Sequence, residues 1–228
     1  MKKKFLVLIM LVGCLFSLSA CGKTKLDFNN YIIEERNTLF TAQDELYSVT
    51  LSSGLREENY AIDGKVNNLV DFAVLTLIRN DSNPLANDTY TYIITINNEP
   101  YTGTLTKSAI DNSYVADLQI NVPADAQVKA QIAFTGYSFD EDMENTSVGF
   151  NINSKKAIEI ANKELSKTAL NLTKNNGSKI EVVVKLLKDF SNSELKTYYW
   201  YVGAISTNGE TLGILIDTNS GEVLAKKV

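Results

Sequence analysis

Hydrophobic and polar side chains alternate in several short runs between residues 31 and 140. In the run YTYIITI, residues 90–96, the large side chains of Tyr90, Tyr92, Ile94 and Ile96 recur at every second position, which is the period of a β-strand. The following NNEP predicts a turn into YTGTLT, and so a hairpin. The runs LYSVTLSSG, FAVLTLIRN and VADLQINVPADAQVKAQIAF predict further strands. Short strands at this spacing predict an all-β, immunoglobulin-like sandwich over residues 31–140.

The hydrophobic period changes to that of a helix after Ser154, the predicted N-cap. The run KKAIEIANKELSKTAL places Ala157, Ala161 and Leu165 along one stripe, and NNGS ends the helix. Strands are then predicted in KIEVVVKLLK, TYYWYVGAIS, TLGILIDT and the terminal EVLAKKV, with a hairpin at the Asn-Gly pair of positions 208–209. Residues 153–228 therefore predict an α+β domain, a helix packed on an antiparallel meander.

The charge distribution supports a boundary between these two regions. Residues 21–150 carry 8 basic and 19 acidic side chains, whereas residues 151–228 carry 11 basic and 8 acidic ones. The acidic run that includes Asp140, Glu141, Asp142 and Glu144 has little apolar periodicity, and residues 141–152 are the predicted linker.

The N-terminus has the organisation of a secretion signal. Three lysines precede the apolar run FLVLIMLVGCLFSL, which ends at small residues before it reaches the ~20 residues of a spanning helix. Residues 1–20 are the predicted signal peptide. The sequence Leu18-Ser19-Ala20-Cys21 resembles the bacterial lipobox, which implies that Cys21 becomes the first residue and carries a lipid. The alternative is ordinary secretion with a chance cysteine.

The lipobox resemblance predicts a chain anchored to the membrane by the lipid on Cys21, on the extracytoplasmic face, with residues 21–30 as a tether. The high Asn and Lys content with only three prolines suits a low-GC Gram-positive bacterium, and so a Gram-positive cell surface. Removal of the signal leaves 19 basic and 27 acidic side chains, so binding to nucleic acid is not expected.

Catalytic side chains are scarce in this sequence. The chain has no His, and its only other cysteine, Cys14, lies in the signal peptide. Ser-His-Asp triads, Cys-His pairs and the usual zinc ligands are therefore missing, as are the glycine-rich nucleotide-binding motifs. We predict no catalytic residue, no metal and no cofactor, and a protein that is not an enzyme. A hydrolase that uses two carboxylates is the open alternative.

The second region resembles a PepSY domain over about residues 154–228. The resemblance is carried by KKAIEIANKEL, YYWYV, TNGETLGILID and SGEVL, at the positions Ala157, Ala161, Trp200, Val202, Asp217, Gly221, Glu222 and Val223. PepSY domains occur in peptidase propeptides and in envelope lipoproteins. The resemblance implies a role in protein interaction or in modulating a peptidase, although no protease sequence follows this copy.

Three further runs are candidates for a site or for a simple structural role. The acidic run at 140–144 offers oxygen ligands to Ca²⁺ but lacks EF-hand spacing, so a solvated linker is favoured. The run DTNSGE is interpreted as a turn that binds its own backbone. In GLREENYAIDG, Arg56 and Tyr60 are candidate partner-binding residues, against the simpler interpretation of a charged hairpin loop with an internal ion pair.

The aromatic run YYWYV predicts two different roles on one strand. Because successive side chains point to opposite faces, Trp200 and Val202 are expected beneath the helix and Tyr199 and Tyr201 on the open face. Tyr199 and Tyr201 are therefore candidate partner-binding residues. The predicted function is a lipid-anchored envelope protein that binds other envelope proteins, a peptidase among them. The alternative is a lipoprotein that captures a small molecule or a cell-wall fragment.

Overall fold

Twelve strands and one α-helix are found in the computed structural model, which describes residues 25–80, 89–109, 112–188 and 198–228. A short 3₁₀ helix (Phe28–Tyr31) precedes the first strand, and the α-helix is α1 (Ser154–Asn176). The strands are β1 (Ile32–Gln43), β2 (Tyr47–Glu57), β3 (Leu69–Arg79), β4 (Tyr90–Ile96), β5 (Glu99–Lys107), β6 (Ser113–Leu118), β7 (Val128–Phe134), β8 (Tyr137–Asn145), β9 (Ile180–Lys188), β10 (Tyr198–Ser206), β11 (Thr211–Asp217) and β12 (Val223–Lys227).

Eight of the strands close into a barrel in the order β1-β2-β3-β6-β5-β4-β7-β8. The ring closes where β8 pairs with β1, at Phe40 with Asn145 and Thr41 with Glu144. Eight strands leave an interior just wide enough for side chains to fill. A hydrophobic cluster fills it here, with Phe40, Leu51 and Tyr90 among its fully buried members.

The remaining four strands extend the barrel sheet rather than forming a separate one. The first half of β1, from Ile32 to Arg36, pairs in parallel with β9, and β10, β11 and β12 follow in antiparallel order. Strand β1 therefore belongs to both parts, since its second half closes the barrel. Helix α1 covers one face of β9–β12, and a second hydrophobic cluster lies between them.

The predicted fold class, an immunoglobulin-like sandwich plus a C-terminal α+β domain, is wrong. The described part of the chain is mostly β, with a closed eight-stranded barrel and one α-helix. The barrel is not visible in the sequence because charged side chains interrupt the hydrophobic alternation of β1 and β8. These are the two strands that pair to close the barrel. Residues 141–145 of the predicted linker lie in β8.

Several local predictions are confirmed. Tyr90, Tyr92, Ile94 and Ile96 all point into the core from β4. Helix α1 occupies the predicted residues, but its N-cap is Asn153 rather than Ser154. The Asn153 side chain accepts a hydrogen bond from the backbone N–H of Lys156 at 3.0 Å.

Part of the predicted tether is packed rather than extended. Phe28 is fully buried in the cluster beneath α1, and its backbone N–H donates to Oδ1 of Asn162 at 2.8 Å. Asp27 accepts a further hydrogen bond from Nδ2 of Asn162. The chain is therefore held against α1 from residue 26 onwards.

Candidate functional site

Strand β10 carries its aromatic side chains on two opposite faces, as the sequence predicts. Trp200 is 3% exposed in the cluster beneath α1, and its Nε1 donates to the carbonyl oxygen of Ile152 at 2.8 Å. Val202 is fully buried beside it. Tyr199 and Tyr201 are half-buried on the face of β9–β12 that α1 does not cover, which we call the open face.

Two glycines determine where the ring of Tyr201 lies. Gly203 follows it on the same strand, and Gly213 is paired with Gly203 across β11. A Cβ atom built on Gly203 would overlap the Tyr201 hydroxyl, and one on Gly213 would lie 3.0 Å from the ring. The ring therefore lies over the backbone of both glycines. Burial raises the pKa of the Tyr201 hydroxyl above its ordinary value.

The register of the sheet extends the open face from the four added strands onto the outer surface of the barrel. Tyr201 is paired with Lys185 on β9, Lys185 with Arg36 on β1, and Arg36 with Gly54 on β2. Directly paired residues point to the same side of a sheet. In the next row, Arg56 on β2 is paired with Glu34 on β1.

The predicted residues Arg56 and Tyr60 therefore lie on the same face as Tyr201. Strands β10 and β2 are three strand spacings apart, which is about 14 Å. Arg56 stacks on Tyr60, with its guanidinium carbon 5.7 Å from the ring centre. In the sequence, Tyr201 and the pair of Arg56 and Tyr60 belong to two separate candidate patches. The continuous sheet brings them onto one surface.

A buried carboxylate holds the basic side chains of this face together. Glu34 is 2% exposed, and its Oε1 lies 2.5 Å from Nε of Arg36 and 3.2 Å from Nζ of Lys185. Burial lowers the pKa of Lys185, and the neighbouring Arg36 lowers it further, while Glu34 opposes both effects. Burial and the nearby Glu34 charge raise the pKa of Tyr60 to about 12.

The simpler interpretation of residues 54–64, a loop with its own internal ion pair, is not what the structure shows. Arg56 lies in β2 and pairs with the exposed Asp117 of β6, with 3.1 Å between Nη1 and Oδ2. Its guanidinium also lies over the ring of the buried Phe72, 4.5 Å from the centre. Arg56 therefore connects strands of the barrel.

Two further buried carboxylates hold the segment between β2 and β3. Oε1 of Glu57 accepts from the backbone N–H of Asn67, and Oε1 of Glu181 accepts from those of Asp63 and Gly64. Both side chains are at most 1% exposed, and in each the second carboxylate oxygen has no hydrogen-bond partner among the residues that the structure describes. Burial raises the pKa of Glu181, more than its backbone hydrogen bonds lower it.

Sequence reasoning did not select Glu34, Glu57, Glu181 or Lys185. A signal exists for two of them, because the strand IEVVVKLLK places Glu181 and Lys185 inside an otherwise apolar run. A charged side chain in a buried strand needs a partner, which points to a polar cluster. The partners themselves come from β1 and from residues 63 and 64, and they are not visible in the local pattern.

The remaining candidate sites have simple structural roles. Asp140 lies in β8 and pairs with Lys129 at 2.6 Å, and no cluster of metal-ligating side chains is found in the described part of the chain. Asp217 accepts from the backbone N–H groups of Asn219 and Ser220, so the DTNSGE turn binds its own backbone as predicted. These hydrogen bonds lower the pKa of Asp217.

The predicted lipidation site, Cys21, lies outside the described residues. Among the residues that are described, no helix is long and apolar enough to cross a membrane. Searches of protein families, of curated proteins and of solved structures find no match to this chain.

Proposed function

We propose that this chain is a lipid-anchored, extracytoplasmic protein that binds another protein of the cell envelope through its open face. The lipobox resemblance at Cys21 supports the anchor, and the PepSY resemblance supports interaction with proteins, a peptidase among them. One structural observation carries the proposal. The rings of Tyr201 and Tyr60 and the guanidinium of Arg56 lie on one continuous face, on which Tyr60 is exposed and the other two are half-buried, and such residues are enriched at binding hot spots.

The charges of the open face indicate the chemistry of the partner. Arg36, Arg56 and Lys185 supply three positive charges beside the carboxylates of Glu34 and Asp117. A third carboxylate on this face, Glu181, is covered by the segment between β2 and β3. Arginine forms bidentate hydrogen bonds with carboxylates, and an aromatic ring beside it adds apolar area. A partner segment that combines an acidic side chain with an aromatic or aliphatic one matches this surface.

Site-specific photocrosslinking in cells tests the proposal. A photoreactive amino acid replaces Tyr201, and a matched position is Ile93, which is 41% exposed on β4 of the barrel. We expect a defined crosslinked species from position 201, which weakens when Arg56→Ala is added and disappears in a Cys21→Ser chain that is not anchored. Identical crosslinking patterns at positions 201 and 93 would contradict the proposal.

The alternative function, capture of a small molecule or cell-wall fragment, stays a prediction. The barrel interior is occupied by the hydrophobic core, so a ligand would bind outside it. A groove of about 650 Å³ lies between α1 and the chain at Lys25 to Asn29. Binding of a wall fragment to the purified chain, lost on substitution of Asn162, would favour this function.

A further inference from the structure

Helix α1 carries a stripe of lysines along its outer surface. Lys156, Lys163, Lys167 and Lys174 are exposed and follow one another at intervals of seven, four and seven residues. At 3.6 residues per turn, these positions fall within about 40° of one another around the helix axis. We call this surface the lysine stripe. It extends along a helix of 23 residues, which is about 34 Å long.

The lysine stripe lies beside the point where the chain leads to Cys21. Lys25 lines the groove of about 650 Å³ together with Lys163 and Lys167. Cys21 lies only four positions before Lys25, and a fully extended chain spans at most about 14 Å over four positions. If Cys21 carries the lipid, α1 is held close to the headgroups of the bilayer.

The charge of this surface is opposite to that of most of the chain. Five lysines, at 25 and along the stripe, accompany Asp27 and Glu159, and the neighbouring Glu164 pairs with Lys226; residues 21–150, in contrast, carry 19 acids and 8 bases. A basic surface is attracted to anionic headgroups, and the acidic barrel is repelled from them. Both effects favour the same orientation, with α1 against the bilayer and the barrel away from it.

We infer that the lysine stripe of α1 is a docking surface for the anionic phospholipid headgroups of the membrane that anchors the chain. The inference rests on the proposed function, because it takes the lipid on Cys21 as the anchor. Its consequence is an orientation. Helix α1 and the open face lie on opposite sides of β9–β12, so docking of α1 points Tyr201 and Arg56 away from the membrane, toward an incoming partner.

Energy transfer from the protein to the bilayer surface tests this inference. The lipidated chain is reconstituted in vesicles of phosphatidylcholine alone, or with one third phosphatidylglycerol, and an acceptor dye is placed on the headgroups. A donor dye is attached at Asn171→Cys on α1, or at Ile93→Cys on the barrel. We expect transfer from position 171 to rise with phosphatidylglycerol and to fall in high salt, while transfer from position 93 stays low.

Two charge variants provide the matched comparison. Lys163→Gln with Lys167→Gln removes two charges from the lysine stripe, and should lower the ratio of docked to undocked protein about 30-fold. Lys65→Gln with Lys107→Gln removes the same charge from exposed positions elsewhere and should leave the ratio unchanged. Equal effects of the two pairs, or equal transfer in both kinds of vesicle, would overturn the inference.

The same samples separate this inference from the proposed anchor. Mass spectrometry of the purified chain shows whether Cys21 carries the lipid. A chain without lipid refutes the anchor and with it the premise of the inference. A lipidated chain whose α1 label does not respond to phosphatidylglycerol refutes the docking surface alone.

Discussion

Trp200 provides the sharpest test of the two roles assigned to the aromatic residues of β10. The side chain is 3% exposed between α1 and the sheet, and its indole N–H donates to the carbonyl oxygen of Ile152. Tyr199, the preceding residue, is half-buried on the open face. Substitution of these neighbours by alanine should therefore have very different effects on the free energy of unfolding.

Trp200→Ala should lower the free energy of unfolding through two separate effects. Truncation of a buried tryptophan costs about 3–5 kcal/mol through lost burial and the cavity that remains. The carbonyl oxygen of the buried residue Ile152 also loses its hydrogen-bond donor, and an unsatisfied buried acceptor costs about 1–3 kcal/mol. The total is close to the whole stability of a typical domain. Trp200→Phe keeps most of the apolar volume, so its stability should fall mainly through the lost hydrogen bond to Ile152.

Urea denaturation followed by far-ultraviolet circular dichroism measures these differences, since the two Trp200 variants lack the only tryptophan. We expect Trp200→Ala to be largely unfolded without urea, Trp200→Phe to be folded but less stable, and Tyr199→Ala to lose about 1 kcal/mol. In the unsubstituted chain, tryptophan fluorescence and circular dichroism should report one transition, because β1 belongs to both the barrel and the extension. Equal losses for Trp200→Ala and Tyr199→Ala would refute the assignment.

Three further predictions concern buried charge and close packing. Glu34→Gln should destabilise the fold by about 3–5 kcal/mol in urea denaturation, because Arg36 and Lys185 lose their counter-charge. Adding Lys185→Met should restore part of the loss, whereas a change in unfolding free energy near zero for Glu34→Gln would contradict the buried cluster. The pKa of Glu181 is raised above 4.5, so its contribution to stability is present below that pH and is lost as the pH rises through the raised pKa. The unfolding free energy of Glu181→Gln should not show this loss. A constant difference in unfolding free energy between the two proteins across pH would contradict the prediction. Gly203→Ala should lower the free energy of unfolding by about 1–3 kcal/mol, and by less when Tyr201→Ala is also present, because the added methyl group then has room. Strictly additive losses would show that the ring of Tyr201 does not lie over the glycine.

The local pattern of the sequence predicted most elements of the structure but not the way they join. Strand β4 and helix α1 were visible because their buried positions recur with a clear period. The predicted linker, residues 141–152, overlaps the second half of β8, because the acidic side chains of Asp140 and Glu141 interrupt the hydrophobic pattern there. Those side chains point to solvent, where Asp140 pairs with Lys129, and charge does not prevent an exposed strand face from pairing. The barrel closes through the strands whose pattern was least visible.

The candidate site shows the same division between local and distant information. Alternation along β10 correctly separated Trp200 from Tyr201, because neighbouring side chains of a strand must point to opposite faces. The connection from Tyr201 to Arg56 depends on the parallel pairing of β1 with β9, between residues about 150 positions apart in the chain. No local pattern specifies that pairing, so the two patches remained separate in the sequence.

The sequence by itself determined the alternation of buried and exposed faces, the extent of α1 and the absence of histidine chemistry. These properties depend on residue type and on spacing over a few positions. Only the tertiary structure decided that β1 changes its neighbour halfway along, from β9 to β8, and so joins the barrel and the extension in one sheet. The physical reason is that a strand can pair with any exposed edge, and the choice among edges is made by the packing of the whole chain.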